Sequence, residues 1–340
     1  REETAVGDKV KLGFIGCGGI VRGHLEHGLK DFEDVEFAGW CDLNPDAAAA
    51  RRDQVGGQGG IFTDASEMLD QARPDAVYIM LPPYAHGPAE ELVIARRLPF
   101  FIEKPVAIDL ATATKVAEGV DKYGLITSVG YMTRYRNGVQ RVRGLLESQE
   151  PVLMHGGWIS GGPRVYEGIW LWWVQKDKSG GQFLEQCTHT TDLARYLYGP
   201  VTSVYATAVT GRRERPDFFT IEDASMVQLG FASGAVATLY SSCSTTQGGG
   251  VFLTLWATDM KAAFTGWEHS VEIDLLDGEH ISIPGEDSIF AKEDRAFVDS
   301  VKAGECRGIL ASYDDGLKAT RIAVAANESM QTGEVLSVDA

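Results

Sequence analysis

Cysteine is scarce and scattered: five residues in 340 (Cys17, Cys41, Cys187, Cys243 and Cys306), odd in number and without a C-x-x-C pair. That excludes a disulfide framework and a cysteine zinc site, and leaves small buried hydrophobes as the ordinary reading of each. Positive charge is also short. Lys and Arg number 31 against 48 Asp and Glu, a net charge of −17, so nucleic-acid phosphates and anionic membranes are repelled. No apolar run reaches the ~20 residues of a membrane span. Internal repeats and low-complexity segments are missing too. The chain opens on Arg1 instead of an initiator Met, which leaves room for a processed leader, and residues 1–9 read as a polar, disordered lead-in. What remains is a soluble, acidic chain, expected in the cytoplasm with the periplasm left open. Its expected partner is a small neutral molecule.

A chain of 340 residues exceeds the about 250–300 at which single cores divide, so two domains are expected, 1–130 and 131–340. In the first, near-continuous apolar runs alternate with helical patterns: 10–15, 35–41, 60–62, 76–81, 100–102 and 125–129. This is the pattern of a parallel sheet covered on both faces. From about 150, runs at 201–210, 224–232, 235–243, 251–258 and 270–276 follow one another through turns. Phe231–Val236 and Leu276–Glu279 read as hairpins with Gly in the turn. One long helix is expected at 183–198, ended by Gly199-Pro200, and two amphipathic helices at 291–303 and 313–331. The second domain is therefore expected to be α+β, a large, mostly antiparallel open sheet with helices on one face. Met226, Val227, Leu229, Val236 and Leu239 put apolar residues on both faces of its strands, so the face without helices needs cover, for which a second subunit, as homodimer or homotetramer, is the simplest candidate.

The first run leads straight into Gly16-Cys17-Gly18-Gly19-Ile20, and Asp42 ends the next run. Gly16 permits a tight turn, Gly18 lets the backbone approach a pyrophosphate, and the helix that follows points its N–H groups at the anion. Asp42 stands close to the ~20-residue offset at which a carboxylate accepts from a ribose hydroxyl. The third fingerprint position holds Val21 where Gly or Ala is usual, so helix and strand are expected slightly farther apart. Asp42 would also repel a 2′-phosphate, and Leu43-Asn44-Pro45 offers no Arg to receive one, so NAD is expected over NADP. Ligands of parallel sheets sit beyond the carboxyl ends of the strands. Leu81-Pro82-Pro83 with His86, and Glu103-Lys104-Pro105, therefore share a rim with Gly16–Ile20 and Asp42.

Lysine seldom ends a buried strand without a task. Beside a nicotinamide, a partly desolvated Lys104 can take or give a hydroxyl proton; a surface lysine at a loop start is the plain alternative. On one helix, Glu185, His189 and Asp192 fall at i, i+4 and i+7, close to one face. Such a His can relay a proton, and such a carboxylate can bind a sugar diol. The bland reading is a helix N-terminus with a satisfied His. No further clear ligand accompanies them, and no metal is expected. Trp158 reads as core, while Trp172 and Trp173 stay open between core and sugar-stacking roles. Arg164 and Tyr166 lie in a Gly-rich loop from which they could reach a substrate.

With these residues assembled, the chain resembles the glucose–fructose oxidoreductase / inositol dehydrogenase (Gfo/Idh/MocA) family over nearly its whole length. The motifs that carry this are Gly16–Ile20, Leu81–His86, Glu103-Lys104-Pro105, Gly180-Gly181 with the Glu185…His189…Asp192 spacing, Glu222-Asp223-Ala224, Phe231–Val236 and Glu293–Phe297. The resemblance implies a Rossmann dinucleotide-binding domain and NAD(P)-dependent oxidation or reduction of sugars, inositols and related polyols, without metal. By position it implies that Lys104 is the catalytic lysine and His189 the proton-transferring histidine. Tyr131 and Met132 match the segment that enters the substrate domain. Glu185 stands where the family usually has Asp, and Cys187 where Gly is usual. Inositol dehydrogenases carry Arg at the position of Thr133, which argues against a simple inositol dehydrogenase. Two other functions stay open: transient oxidation on bound NAD that enables glycoside cleavage by elimination, and a non-catalytic sugar or dinucleotide sensor.

Overall fold

The computed structural model describes residues 9–163, 165–212, 214–287 and 289–338. The lead-in expected at 1–9, apart from Lys9, and the candidate Arg164 lie outside them. Among the described residues no helix is long and apolar enough to cross a membrane. The chain divides into two compact units, residues 1–107, 111–132 and 288–316 in the first, and 108–110, 133–287 and 317–340 in the second.

In the first unit, six strands run β1 (Val10–Ile15), β2 (Val35–Cys41), β3 (Gly60–Phe62), β4 (Ala76–Ile79), β5 (Phe100–Ile102) and β6 (Thr127–Val129). They form one parallel sheet in the order β3-β2-β1-β4-β5-β6. The order reverses between β1 and β4, which makes the crevice beyond their carboxyl ends the ligand position of the fold. Helices Gly19–Glu26, Pro45–Gln54, Ala65–Ala72, Pro88–Ala95 and Leu110–Tyr123 are the connections. The Pro45–Gln54 helix starts where its sequence says, with Asn44 accepting from Asp46 N–H and Pro at the first turn. All residues of β4 and β5 are buried, as apolar runs in a doubly covered sheet require. The first unit differs from the expected 1–130 by its return segment. Residues 288–316 belong to it because the helix Phe290–Ala303 buries Phe297, Val298 and Val301 in the same core as Phe14, Trp40 and Tyr78.

The second unit is a nine-stranded sheet, β7 (Pro151–Ile159), β8 (Val201–Val209), β9 (Ala224–Phe231), β10 (Val236–Ser242), β11 (Gly250–Ala257), β12 (Met260–Thr265), β13 (Ser270–Leu275), β14 (His280–Ile283) and β15 (Leu336–Ser337), in the order β14-β13-β12-β11-β7-β10-β9-β8-β15. It is antiparallel except where β7 pairs with β10. The hairpins at Gly234 and Gly278 form as expected, both glycines at positive φ. One face buries Val227, Leu229, Leu239, Leu253 and Leu255 under helices Asn137–Leu146 and Thr188–Tyr198. The other carries the in-register row Val236, Leu153, Trp256 and the neighbouring Met226, Tyr240 and Phe252. Val236 is 51% exposed and Met226 47%.

Two expectations are corrected, and one strand is new. The helix at 183–198 is two helices, Gln182–Glu185 and Thr188–Tyr198, because Cys187 N–H reaches back five residues to the Gln182 carbonyl and opens the turn between them. Trp158 is half-exposed, stacked at a tilt on Trp267 with ring centroids 5.3 Å apart, and does not sit in the core. Strand β7, which carries Trp158, was not anticipated, although it lies at the centre of the sheet.

Arg136 is the polar anchor of the second unit. It is buried, and its guanidinium donates to the carbonyls of Glu268 (2.5 Å), Trp267 (2.8 Å) and Glu286. Burial lowers its pKa to about 10, against the opposing pull of Glu286, Glu268 and Asp287. Arg136→Met strands three carbonyl acceptors. It is expected to lower stability by about 3 kcal/mol or more, read as a fall in the urea midpoint at unchanged slope.

Candidate active site

The turn after β1 is shaped by two close approaches. Gly16 holds φ 89°, and a Cβ there would collide with the Met80 carbonyl at the end of β4. Met80 N–H in turn donates to the Ile15 carbonyl at 2.7 Å. Asp42 folds back on the same turn: one oxygen accepts from Cys17 N–H at 2.8 Å, the other from Asn44 N–H at 2.9 Å. The carboxylate is thereby fixed at the mouth of the crevice, half-buried, with lone pairs left for hydroxyl donors. Gly18 caps the helix Gly19–Glu26 with no side-chain hydrogen bond, and a Cβ on Gly18 or Gly19 would meet nothing within 4 Å. Open space before an uncapped helix start, beside a fixed carboxylate, fits a dinucleotide: pyrophosphate on the helix N-terminus, ribose diol on Asp42. Ile20 is half-buried in the first turn of this helix. The Cys17 thiol is buried, and burial with Asp42 and Cys41 nearby pushes its pKa up to about 12, so it stays protonated.

Leu81 and Pro82 are half-buried after β4. His86 is buried, with Nδ1 2.6 Å from Glu90, whose other oxygen accepts from Gly87 N–H. Glu103 is buried at the end of β5, and its Oε2 accepts from Lys104 N–H at 3.1 Å. Lys104 itself is half-buried. Tyr131 and Met132 are buried just beyond β6.

In the second unit, Gly180 and Gly181 both take positive φ, and a Cβ on Gly181 would press on the Glu222 carboxylate. Glu222 is buried, pairs with Lys176 at 3.0 Å and accepts from Phe183 N–H at 3.4 Å, so it caps the Gln182–Glu185 helix. Glu185 accepts from the indole N–H of Trp173, which places Trp173 in an apolar cluster with Val174, Ile221 and Cys243. Trp172 is half-buried beside that cluster. Asp192 is held by Arg134 in a buried two-point ion pair, Nε to Oδ2 2.8 Å and Nη2 to Oδ1 2.5 Å. The same guanidinium also stacks on Tyr196 at 4.6 Å. His189 is buried, its ring edge-on to Trp267 at 6.0 Å. A cavity of about 310 Å³ in the same unit is lined by Gly161, Pro163, Tyr166, Arg215, Phe219 and Thr246, and includes neither His189 nor Glu185.

Sequence reasoning missed Arg134 as the partner of Asp192 and Trp267 as the neighbour of His189. Both contacts join segments more than 55 residues apart, with no local signal.

A parallel sheet of this order, with a glycine turn and an acidic residue at its switch point, defines a dinucleotide-binding protein. Residues 10–131 match the model of the oxidoreductase family with NAD-binding Rossmann fold, and residues 139–263 that of the GFO/IDH/MocA C-terminal domain. The chain belongs to the Gfo/Idh/MocA oxidoreductase family, and its cofactor is NAD. It is 23% identical to myo-inositol 2-dehydrogenase of Thermotoga maritima, over 95% of this chain and 96% of that protein. Two solved structures share the fold. The WlbA dehydrogenase of Bordetella pertussis, in complex with NADH and UDP-GlcNAcA, is 20% identical with a TM-score of 0.84, over 98% of this chain and 99% of that one. Levoglucosan dehydrogenase, in complex with NADH and levoglucosan, is 18% identical with a TM-score of 0.86, over 97% and 99%.

The anchored Asp42 carboxylate predicts cofactor choice. NADP is expected to bind at least about tenfold more weakly than NAD, because a 2′-phosphate would face a fixed carboxylate. Asp42→Ala should narrow that gap, measured by fluorescence titration with NADH and NADPH.

Proposed function

We propose that this chain transfers hydride between NAD and a secondary hydroxyl or ketone of a sugar, sugar derivative or cyclic polyol. The observation that carries this is the dinucleotide crevice with Lys104 at its rim, in a chain whose relatives include a myo-inositol 2-dehydrogenase and whose structural neighbours include a levoglucosan dehydrogenase. Bound NAD supplies a two-electron acceptor for hydride in the oxidation direction. In that direction Lys104 Nζ takes the hydroxyl proton, and in reduction it returns it. His189 is the second proton-exchanging group, carried by the second unit, and Glu185 binds a substrate hydroxyl. The sheet face that carries Leu153, Met226, Val236 and Trp256 is covered by a second copy of the chain.

A panel of polyols and sugars followed by NADH absorbance identifies the substrate. On that substrate, Lys104→Ala or His189→Ala is expected to lower kcat by about 10²–10⁴-fold with NADH affinity retained. The double variant should fall short of the product of the two losses, because one transfer is served by both. Near-normal turnover in His189→Ala would make the Thr188–Tyr198 helix structural and leave the proton role to Lys104 alone.

For assembly, light scattering is expected to report a dimer or tetramer at micromolar concentration. The pair of changes Met226→Lys and Val236→Lys should shift it to monomer. A monomeric parent protein would overturn this part of the reading.

A further inference from the structure

His24 lies six residues into the Gly19–Glu26 helix, fully buried in the first unit. Its Nδ1 is 2.9 and 3.0 Å from the two oxygens of Asp294, and its Nε2 is 3.2 Å from Glu103 Oε1. With carboxylates on both sides, both ring nitrogens act as donors, which is the imidazolium form. Burial, the largest single effect, opposes the charge; Asp294 and Glu103 together outweigh it and hold the imidazole well above its usual range. Asp294 also accepts from the Tyr78 hydroxyl at 3.1 Å. Its neighbour Glu293 is buried with neither oxygen hydrogen-bonded, and burial pushes that carboxyl well above its usual range. The imidazole thus lies between the carboxyl groups of Asp294 and Glu103, and burial raises the Asp294 carboxyl too, against the pull of His24 and the Tyr78 hydroxyl.

Glu103 links this cation to the rim. Its Oε1 meets His24, and its Oε2 accepts Lys104 N–H. Gly130, beyond β6, lies against the same carboxylate: a Cβ there would stand 2.7 Å from Oε1. Gly130 N–H and Glu103 N–H donate to the Ile102 and Ile79 carbonyls, both at 3.0 Å, so the ends of β4, β5 and β6 are tied together around Glu103. A buried carboxylate without its counter-charge is costly and would not hold this place unaided.

We infer that His24 is a positioning residue for Lys104: by bridging Asp294 and Glu103 it fixes the carboxylate that holds the lysine's backbone. The same contact ties the helix that receives the pyrophosphate to the loop that carries the proton-exchanging amine. The functional weight of this rests on the reading of Lys104 given above. The test reads the backbone without substrate, so the two fail separately.

In the full-length protein, hydrogen exchange of the Lys104 amide is compared in the parent, His24→Gln and His24→Leu, each with and without NADH. Gln keeps one donor for Glu103 and Leu keeps none. Exchange is expected to quicken about tenfold in His24→Leu and by less in His24→Gln, while amides of β1 and β2 keep their protection. Nitrogen-15 NMR of the parent should show the His24 imidazole protonated well above pH 6.5. Glu103→Gln should bring its titration down. Should His24→Leu not fold, His24→Gln and the imidazole titration decide. Lys104 exchange at the parent rate in a folded variant, equal quickening throughout the sheet, or an imidazole that titrates at its ordinary pH would each overturn the assignment.

Discussion

The approach of the β1 turn to the end of β4 is the contact on which the first unit's chemistry depends. Ile15 and Met80 share a hydrogen bond across the point where strand order reverses, and Gly16 lies against the Met80 carbonyl with no room for a side chain. Because that turn is tight, the helix after it starts at the crevice, and its N–H groups face the space a pyrophosphate needs. Because the turn's Cys17 N–H is bonded to Asp42, the acidic residue from β2 reaches the same crevice. One backbone approach thus aligns three pieces of sequence.

Buried polar groups do in the second unit what this turn does in the first. Arg136 gathers three carbonyls, Arg134 takes both oxygens of Asp192, and Glu222 caps a helix through Phe183 N–H while pairing with Lys176. Each would be costly if half-satisfied, and each restricts where its loop or helix can sit. Two of them hold the segment 180–198 that carries Glu185 and His189: Arg134 through Asp192, and Glu222 through Phe183 N–H. The long helix expected there is interrupted at Gln186–Cys187, so Glu185 and His189 lie on two separate helices.

Much of the fold was legible in the chain because its signals are local. Apolar runs broken by helical periods mark the parallel strands, and Gly234 and Gly278 mark hairpins whose turns require positive φ. The Gly16–Gly18 turn and Asp42 could be read the same way, since tight turn, strand end and offset all lie within one βαβ unit. Lys104 stood out as a charge at the end of a buried strand. Strand β7 escaped notice because its residues alternate only weakly and its partners, β10 and β11, lie far along the chain.

What the sequence determined by itself is the set of pieces: an NAD-binding unit, an antiparallel sheet with one buried and one open face, and residue types suited to proton exchange. What the tertiary structure decided is the use of each charged side chain. Asp192 and His86 each stand out in sequence as single residues, and only the structure shows Arg134 bonded to both oxygens of Asp192 and His86 set on Glu90. His24 and Asp294, 270 residues apart, carry no mark in sequence that they meet. A buried charge takes its role from its counter-charge, and the counter-charge is chosen by packing between distant segments, which no local pattern encodes.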